Sequence, residues 1–145
     1  MFGIKIVIHF FREMIKNRLK IHKEILVIGG TGFVGSHLIK FLIKKKFHVY
    51  SISRFKPKKN RQIKKVKYLI SDIAKKNPLR KKLRKLLNLD YVINLGGEVD
   101  HKSYKKTFLS HYIGVKNLAE FFLNKKIKKF VQIGSSMEYG HNSSP

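Results

Sequence analysis

The chain has 145 residues, no cysteine and a formal net charge of +25. Its length suits one domain with one buried core, and the lack of cysteine excludes disulfides, thiolate nucleophiles and Cys-based zinc sites. With 43% hydrophobic and 12% aromatic residues it is no disordered basic tail, so the charge raises nucleic acid or an anionic membrane as partners. Lysine outnumbers arginine 27 to 6, and arginine is the residue suited to bidentate phosphate and base contacts. The lysines fall in short runs (Lys44–Lys46, Lys58–Lys59, Lys81–Lys82) at expected helix ends and loops. The charge therefore reads as a solvated lysine surface, and nucleic acid is not the expected partner.

Residues 1–23 stand apart. Ile4, Val7, Ile8, Phe11, Met14 and Ile15 have the spacing of one helical face, and Arg12, Lys16, Arg18, Lys20 and Lys23 add charge. Phe2–Phe11 is too short to span a bilayer. It also lacks the basic start and small-residue cleavage site of a signal peptide. The segment is either a basic amphipathic helix that touches a membrane surface or a partner, or an extension ahead of the domain. The second is favoured, and the expected location is the cytoplasm.

From Glu24 to Pro145 strands and helices alternate. Ile25–Ile28 is an apolar run ending in glycines, as in a buried parallel strand. Phe33–Lys45 carries a helical face of Phe33, Val34, Leu38, Phe41 and Leu42. Val49–Ser53 and Val66–Ile70 are strands two and three, and the basic stretch Arg54–Lys65 between them allows only an abbreviated crossover. Pro78–Leu89 is a helix with Pro78 in its first turn. Tyr91–Leu95 is strand four. Lys102–Lys125 is one long helix with Phe108, Tyr112, Val115, Leu118, Ala119 and Phe122 on one stripe. Phe130–Ile133 is strand five. Such alternation predicts an α/β fold, a doubly wound parallel sheet with helices on both faces.

The strongest motif is Gly29-Gly30-Thr31-Gly32-Phe33-Val34-Gly35. It follows a predicted strand and opens a predicted helix, the context in which glycine spacing has meaning. One glycine permits the tight turn, one lets the backbone approach a pyrophosphate, and one lets helix and strand pack closely. Free N–H groups at the helix start then face the phosphates. The end of strand two sets the dinucleotide preference. An acidic residue there would bind the ribose hydroxyls of NAD. The sequence offers Ser51, Ser53 and Arg54 and no carboxylate. Arg54 suits a 2′-phosphate, so the reading leans to NADP over NAD.

In order along the chain, Ile25–Gly35, Asp72-Ile73, Tyr91–Gly97, Gly114–Glu120 and Val131–Gly140 resemble the landmarks of the extended short-chain dehydrogenases/reductases. These are NAD-dependent epimerases and dehydratases that act on nucleotide sugars. The resemblance runs from Glu24 to the C-terminus. It is most specific in the glycine turn and in Ile133-Gly134-Ser135-Ser136-Met137-Glu138-Tyr139-Gly140. It implies a Rossmann-like sheet of about five strands in the order 3-2-1-4-5. It also implies roles by position. Gly29, Gly32 and Gly35 form the cofactor turn, Asp72 and Ile73 contact the adenine, and Leu95, Gly96 and Gly97 line the cofactor beyond strand four. Ser135 hydrogen-bonds the reacting sugar oxygen. Ser136, Glu138 and Tyr139 shape the substrate side. The implied partner is a nucleotide-sugar substrate, and a homodimer is compatible with the resemblance.

Some positions depart from the family pattern. Ile28 stands where Thr is common, Phe47 where glycine ends the first helix, and His111 where Asn is frequent. The family's chemistry also uses a Tyr and a Lys four residues later, on a helix after strand five, and the sequence reaches Pro145 before such a helix. The match Tyr112–Lys116 lies between strands four and five, where the family carries a structural Gly-x-x-Asn (Gly114, Asn117), and reads as a decoy. The expectation is the cofactor-binding part of a longer enzyme, inactive by itself, with a non-catalytic dinucleotide or polyanion binder as the alternative. Asp100, His101 and His111 have no metal-ligand spacing, so no metal is expected.

Overall fold

The computed structural model describes residues 23–86, 88–98 and 103–134. Five parallel strands form one sheet: β1 (Glu24–Ile28), β2 (His48–Ser53), β3 (Val66–Ile70), β4 (Tyr91–Asn94) and β5 (Lys129–Gln132). Their order is β3-β2-β1-β4-β5, as expected, with Ile25 beside both Val49 and Tyr91. Helices α1 (Phe33–Lys44), α2 (Lys76–Leu83), α3 (Tyr104–Phe108) and α4 (Gly114–Phe122) connect them. The β2–β3 crossover holds only a 3₁₀ turn, Lys59–Arg61.

Strand alternation divides the core into two layers. Ile25, Val27, Val49, Tyr91 and Ile93 meet Leu38, Ile39 and Leu42 of α1 on one face. Leu26, Ile28, Ile52 and Val92 meet Leu79 and Leu83 of α2 and Leu118 and Phe122 of α4 on the other. β1 is apolar from Ile25 to Ile28 and β4 from Tyr91 to Ile93 because both of their faces are covered. At the amino ends of the strands, Asp90 gathers three of them. Its backbone N–H donates to the Glu24 carbonyl at 2.9 Å, and its own carbonyl accepts from the Lys128 N–H at 2.8 Å. Its carboxylate accepts from the Glu24 N–H at 3.0 Å and pairs with Lys128 Nζ at 2.6 Å.

Three expectations need correction. The predicted helix Pro78–Leu89 runs from Lys76 to Leu83, because Leu89 leaves it to enter the core as the lead-in to β4. The predicted Lys102–Lys125 helix is interrupted by a π turn at Leu109–Ile113. The extra residue turns the preceding half by about 100°, so the predicted stripe does not exist as one face. Leu118 and Phe122 are buried with Gly114 and Asn117, while Phe108 and Tyr112 stay exposed and stack on each other at 5.1 Å. Third, the left-handed residue that ends α1 is Lys46 (φ 62°), not Phe47. The N–H of Lys46 bonds Ile43 O and that of Phe47 bonds Leu42 O, a Schellman closure that glycine usually makes. Phe47 instead packs in the core.

Candidate functional site

Parallel strands deliver their following loops to one edge of the sheet, and the predicted cofactor residues of those loops meet there. The Gly29 N–H donates to Ile52 O, the Leu95 N–H to Ile28 O and the Ser71 N–H to Ser53 O. Thus the glycine turn, Ser53–Arg54, Ser71–Ile73 and Leu95–Glu98 share the carboxyl edge. Ser135, Ser136, Glu138 and Tyr139 lie outside the described residues, as do residues 1–22.

The glycines have separate duties. Gly29 has φ +76°, and a Cβ there would lie 2.9 Å from the Gly96 nitrogen. At Gly35 a Cβ would lie 2.3 Å from Gly29 O, so this residue lets α1 close on the turn. At Gly30 it would strike Ser51 Oγ at 2.4 Å and Ile39 Cδ1 at 2.5 Å. Gly32 differs. Its φ is −73° and its ψ 175°, which any residue adopts, and the nearest atom to a Cβ is Gly29 O at 3.3 Å. The chain's own demand for glycine at position 32 is therefore the weakest of the four, a shift of a few tenths of an ångström at one carbonyl. A ligand approaching the backbone would require glycine there.

The start of α1 is open to such a ligand. No side chain caps it, and no acidic residue stands in its first turn, so its positive end is uncompensated. Thr31 is half-buried, whereas Phe33 is 75% exposed and Val34 37%. The two face solvent rather than the core, where the helical spacing would place them. Beside them, Ser51, Ser53 and Ser71 have buried hydroxyls with no hydrogen-bond partner. Ser53 and Ser71 end β2 and follow β3, where the adenosine half of a dinucleotide would rest. These features fit a dinucleotide.

The floor is braced from below. Ile73 is buried, and a Cβ on Gly114 would lie 2.5 Å from its Cγ1. Asn117 Nδ2 donates to the carbonyls of Ile73 at 2.9 Å and Ala74 at 3.2 Å. Gly114 and Asn117 therefore hold the loop that carries Asp72, whose Oδ1 accepts from the Ala74 N–H at 3.0 Å. Asn94 is fully buried. Its Oδ1 accepts from the Gly96 N–H at 2.9 Å, and its Nδ2 donates to Gln132 Oε1 at 2.8 Å. Asn94, Ser71 and Glu98 were not among the expected site residues. A polar side chain ending an otherwise apolar strand was the available signal for Asn94.

No carboxylate stands at the end of β2 itself. The fold brings Glu98 from the loop after β4, with Oε2 3.5 Å from Arg54 Nη1. Among the described residues no cluster of three or more His, Asp and Glu side chains could hold a metal. No described helix is long and apolar enough to cross a membrane.

Residues 25–145 match the NAD dependent epimerase/dehydratase family. A UDP-glucose 4-epimerase from Cyamopsis tetragonoloba is 28% identical over 113 residues, which is 77% of this chain and 30% of that protein. Among solved structures, a UDP-glucose 4-epimerase from Thermotoga maritima with UDP-glucose is similar, with TM-score 0.74 and 23% identity over 84% of this chain and 41% of that one. The Bordetella bronchiseptica enzyme WbmG in complex with NAD and UDP gives TM-score 0.75 and 17% identity over 86% and 41%. The chain thus spans 30% of that curated relative's length and 41% of each of these two structures.

Proposed function

The chain belongs to the NAD-dependent epimerase/dehydratase family, and from that premise we propose that it is the dinucleotide-binding part of a nucleotide-sugar epimerase, dehydratase or reductase. One observation carries the reading: a Cβ at Gly32 would meet only one close atom, Gly29 O at 3.3 Å, whereas Gly29, Gly30 and Gly35 are each blocked at 2.9 Å or less. Residues 24–145 form the binding domain, and residues 1–23 precede it as an extension. The N–H groups at the start of α1 hold the pyrophosphate, Asp72 and Ile73 flank the adenine, and Leu95, Gly96 and Gly97 line the far half. Ser53 and Arg54 face the adenosine ribose. Ser135 binds the reacting sugar oxygen, with Ser136, Glu138 and Tyr139 beside it. Bound there, NAD or NADP supplies hydride exchange between nicotinamide C4 and a sugar carbon. Residues 133–145 carry no Tyr-x-x-x-Lys, and the expectation for these 145 residues by themselves is dinucleotide binding without turnover. Conversion of a nucleotide sugar by the 145-residue chain would overturn that statement.

The test titrates NADH, NADPH and a generic DNA duplex into the 145-residue chain at several salt concentrations. Dinucleotide binding that depends weakly on salt and is lost in Gly32→Asp supports the reading. Binding that falls steeply with salt and ignores Gly32 makes the protein a polyanion binder instead.

A further inference from the structure

The cation after β2 does not stand alone. Arg54 is 55% exposed at its side chain and lies 3.5 Å from the Glu98 carboxylate, which is only 15% exposed. The two residues are 44 positions apart. β2 and β4 flank β1 on either side, so both of their following loops reach the carboxyl edge beside the turn after β1, where Gly29 abuts Leu95–Gly96.

That loop is held in place from the π turn. The Glu98 N–H donates to Ser110 Oγ at 3.0 Å. The Glu98 carbonyl lies 3.0 Å from His111 Nε2. Gly97 makes room for the ring, since a Cβ there would lie 2.5 Å from His111 Cε1. Ser110 and His111 both belong to Leu109–Ile113. A regular α-helix would turn these two side chains elsewhere. The widened turn positions the loop, and the loop positions the carboxylate.

Resting on the dinucleotide reading above, we propose that Glu98 is a specificity-determining residue that selects NAD by occupying Arg54. A 2′-phosphate carries close to two negative charges and needs a cation that is not already engaged. Here it meets a guanidinium paired with a carboxylate, and the same carboxylate repels it. A 2′-hydroxyl is neutral and can donate to that carboxylate. Arg54, which by itself suits NADP, is thereby removed from the choice. Glu98 supplies from β4 the acid that the end of β2 lacks. His111 is a positioning residue that acts through the Glu98 backbone.

The experiment measures Kd for NADH and NADPH by nicotinamide fluorescence at one ionic strength, on the 145-residue chain and its variants. The wild type binds NADH more tightly than NADPH. Glu98→Gln shifts the ratio of the two Kd values at least tenfold toward NADPH. Glu98→Gln combined with Arg54→Ala reverses that gain. Glu98→Asp, which withdraws the carboxylate by one methylene, falls between, and His111→Ala shifts the ratio in the same direction as Glu98→Gln. Unfolding midpoints within a few degrees of wild type show that each variant folds. Binding of both dinucleotides with a ratio unchanged in Glu98→Gln and Glu98→Asp overturns the role of Glu98 and leaves the cofactor reading standing. A wild type that binds neither dinucleotide overturns both.

Discussion

The glycine turn allows two neighbouring substitutions to be told apart. Gly35→Ala places a methyl 2.3 Å from Gly29 O and 2.7 Å from Gly30 Cα. Both contacts are with backbone, so the turn must move by roughly 1 Å. Overpacking of this kind costs about 3 kcal/mol, and alanine's helix propensity returns about 1. For a chain of this size 1 kcal/mol is about 3 °C in Tm, so the expected loss is about 6 °C. Gly32→Ala meets one atom at 3.3 Å with an unstrained φ. Its poorer capping and its smaller unfolded-state entropy nearly cancel, which leaves Tm within about 2 °C. On the dinucleotide reading its methyl would stand where a phosphate oxygen approaches the helix N–H groups, and one or two lost hydrogen bonds would weaken binding by roughly ten- to hundredfold. Calorimetry and fluorescence titration of both variants give the answer. A Gly32→Ala chain that binds NADH like wild type refutes the assignment, and so does a Gly35→Ala chain of unaltered stability.

Other substitutions probe the frame. Asp90→Asn removes the carboxylate joining β1, β4 and β5 and should cost about 1 kcal/mol at neutral pH, read from urea unfolding. Partial burial raises the Asp90 carboxyl, but Lys128 and the Glu24 N–H outweigh it and hold it below its ordinary 3.8. This contribution is therefore full above the unfolded value and fades as pH falls through the folded one; equal wild-type and Asp90→Asn stabilities at pH 7 would contradict it. Lys46→Gly relieves a left-handed lysine and should raise Tm by about 2 °C; a lower Tm argues against the Schellman assignment. Asn117→Ala leaves two carbonyls unpaired and should destabilise by about 2 kcal/mol while weakening dinucleotide binding. If stability falls but affinity holds, the brace under Ile73 has no bearing on the site.

The strands were legible because β1 and β4 are continuous apolar runs and glycine marks where β1 ends. All five fall within one or two residues of the expected bounds. The strand order came from the resemblance, since periodicity says nothing about neighbours. The long helix was misread for a physical reason. A 3.6-residue template assumes unbroken α geometry, and one inserted residue at Leu109–Ile113 voids it for everything upstream. The Arg54–Glu98 pair was illegible for a different reason. Its members are separated by a 3₁₀ turn, one helix and two strands, and only the crossover that places β1 between β2 and β4 brings them together. In sequence His111 is only a departure from the family pattern; its contact with the Glu98 carbonyl gives that position a physical content.

The close approach of Gly29 to Gly96 has a consequence for folding order. The β1–α1–β2 unit is local and can assemble early. Yet the wall against which its turn rests is the backbone at Leu95–Gly96, which arrives only when β4 pairs with β1 more than sixty residues later in the chain. The glycine turn is therefore completed by a different βα unit from the one that encodes it. During refolding, dinucleotide binding would appear with the β1–β4 pairing rather than with the first helix, so the ligand would report completion of the sheet's centre.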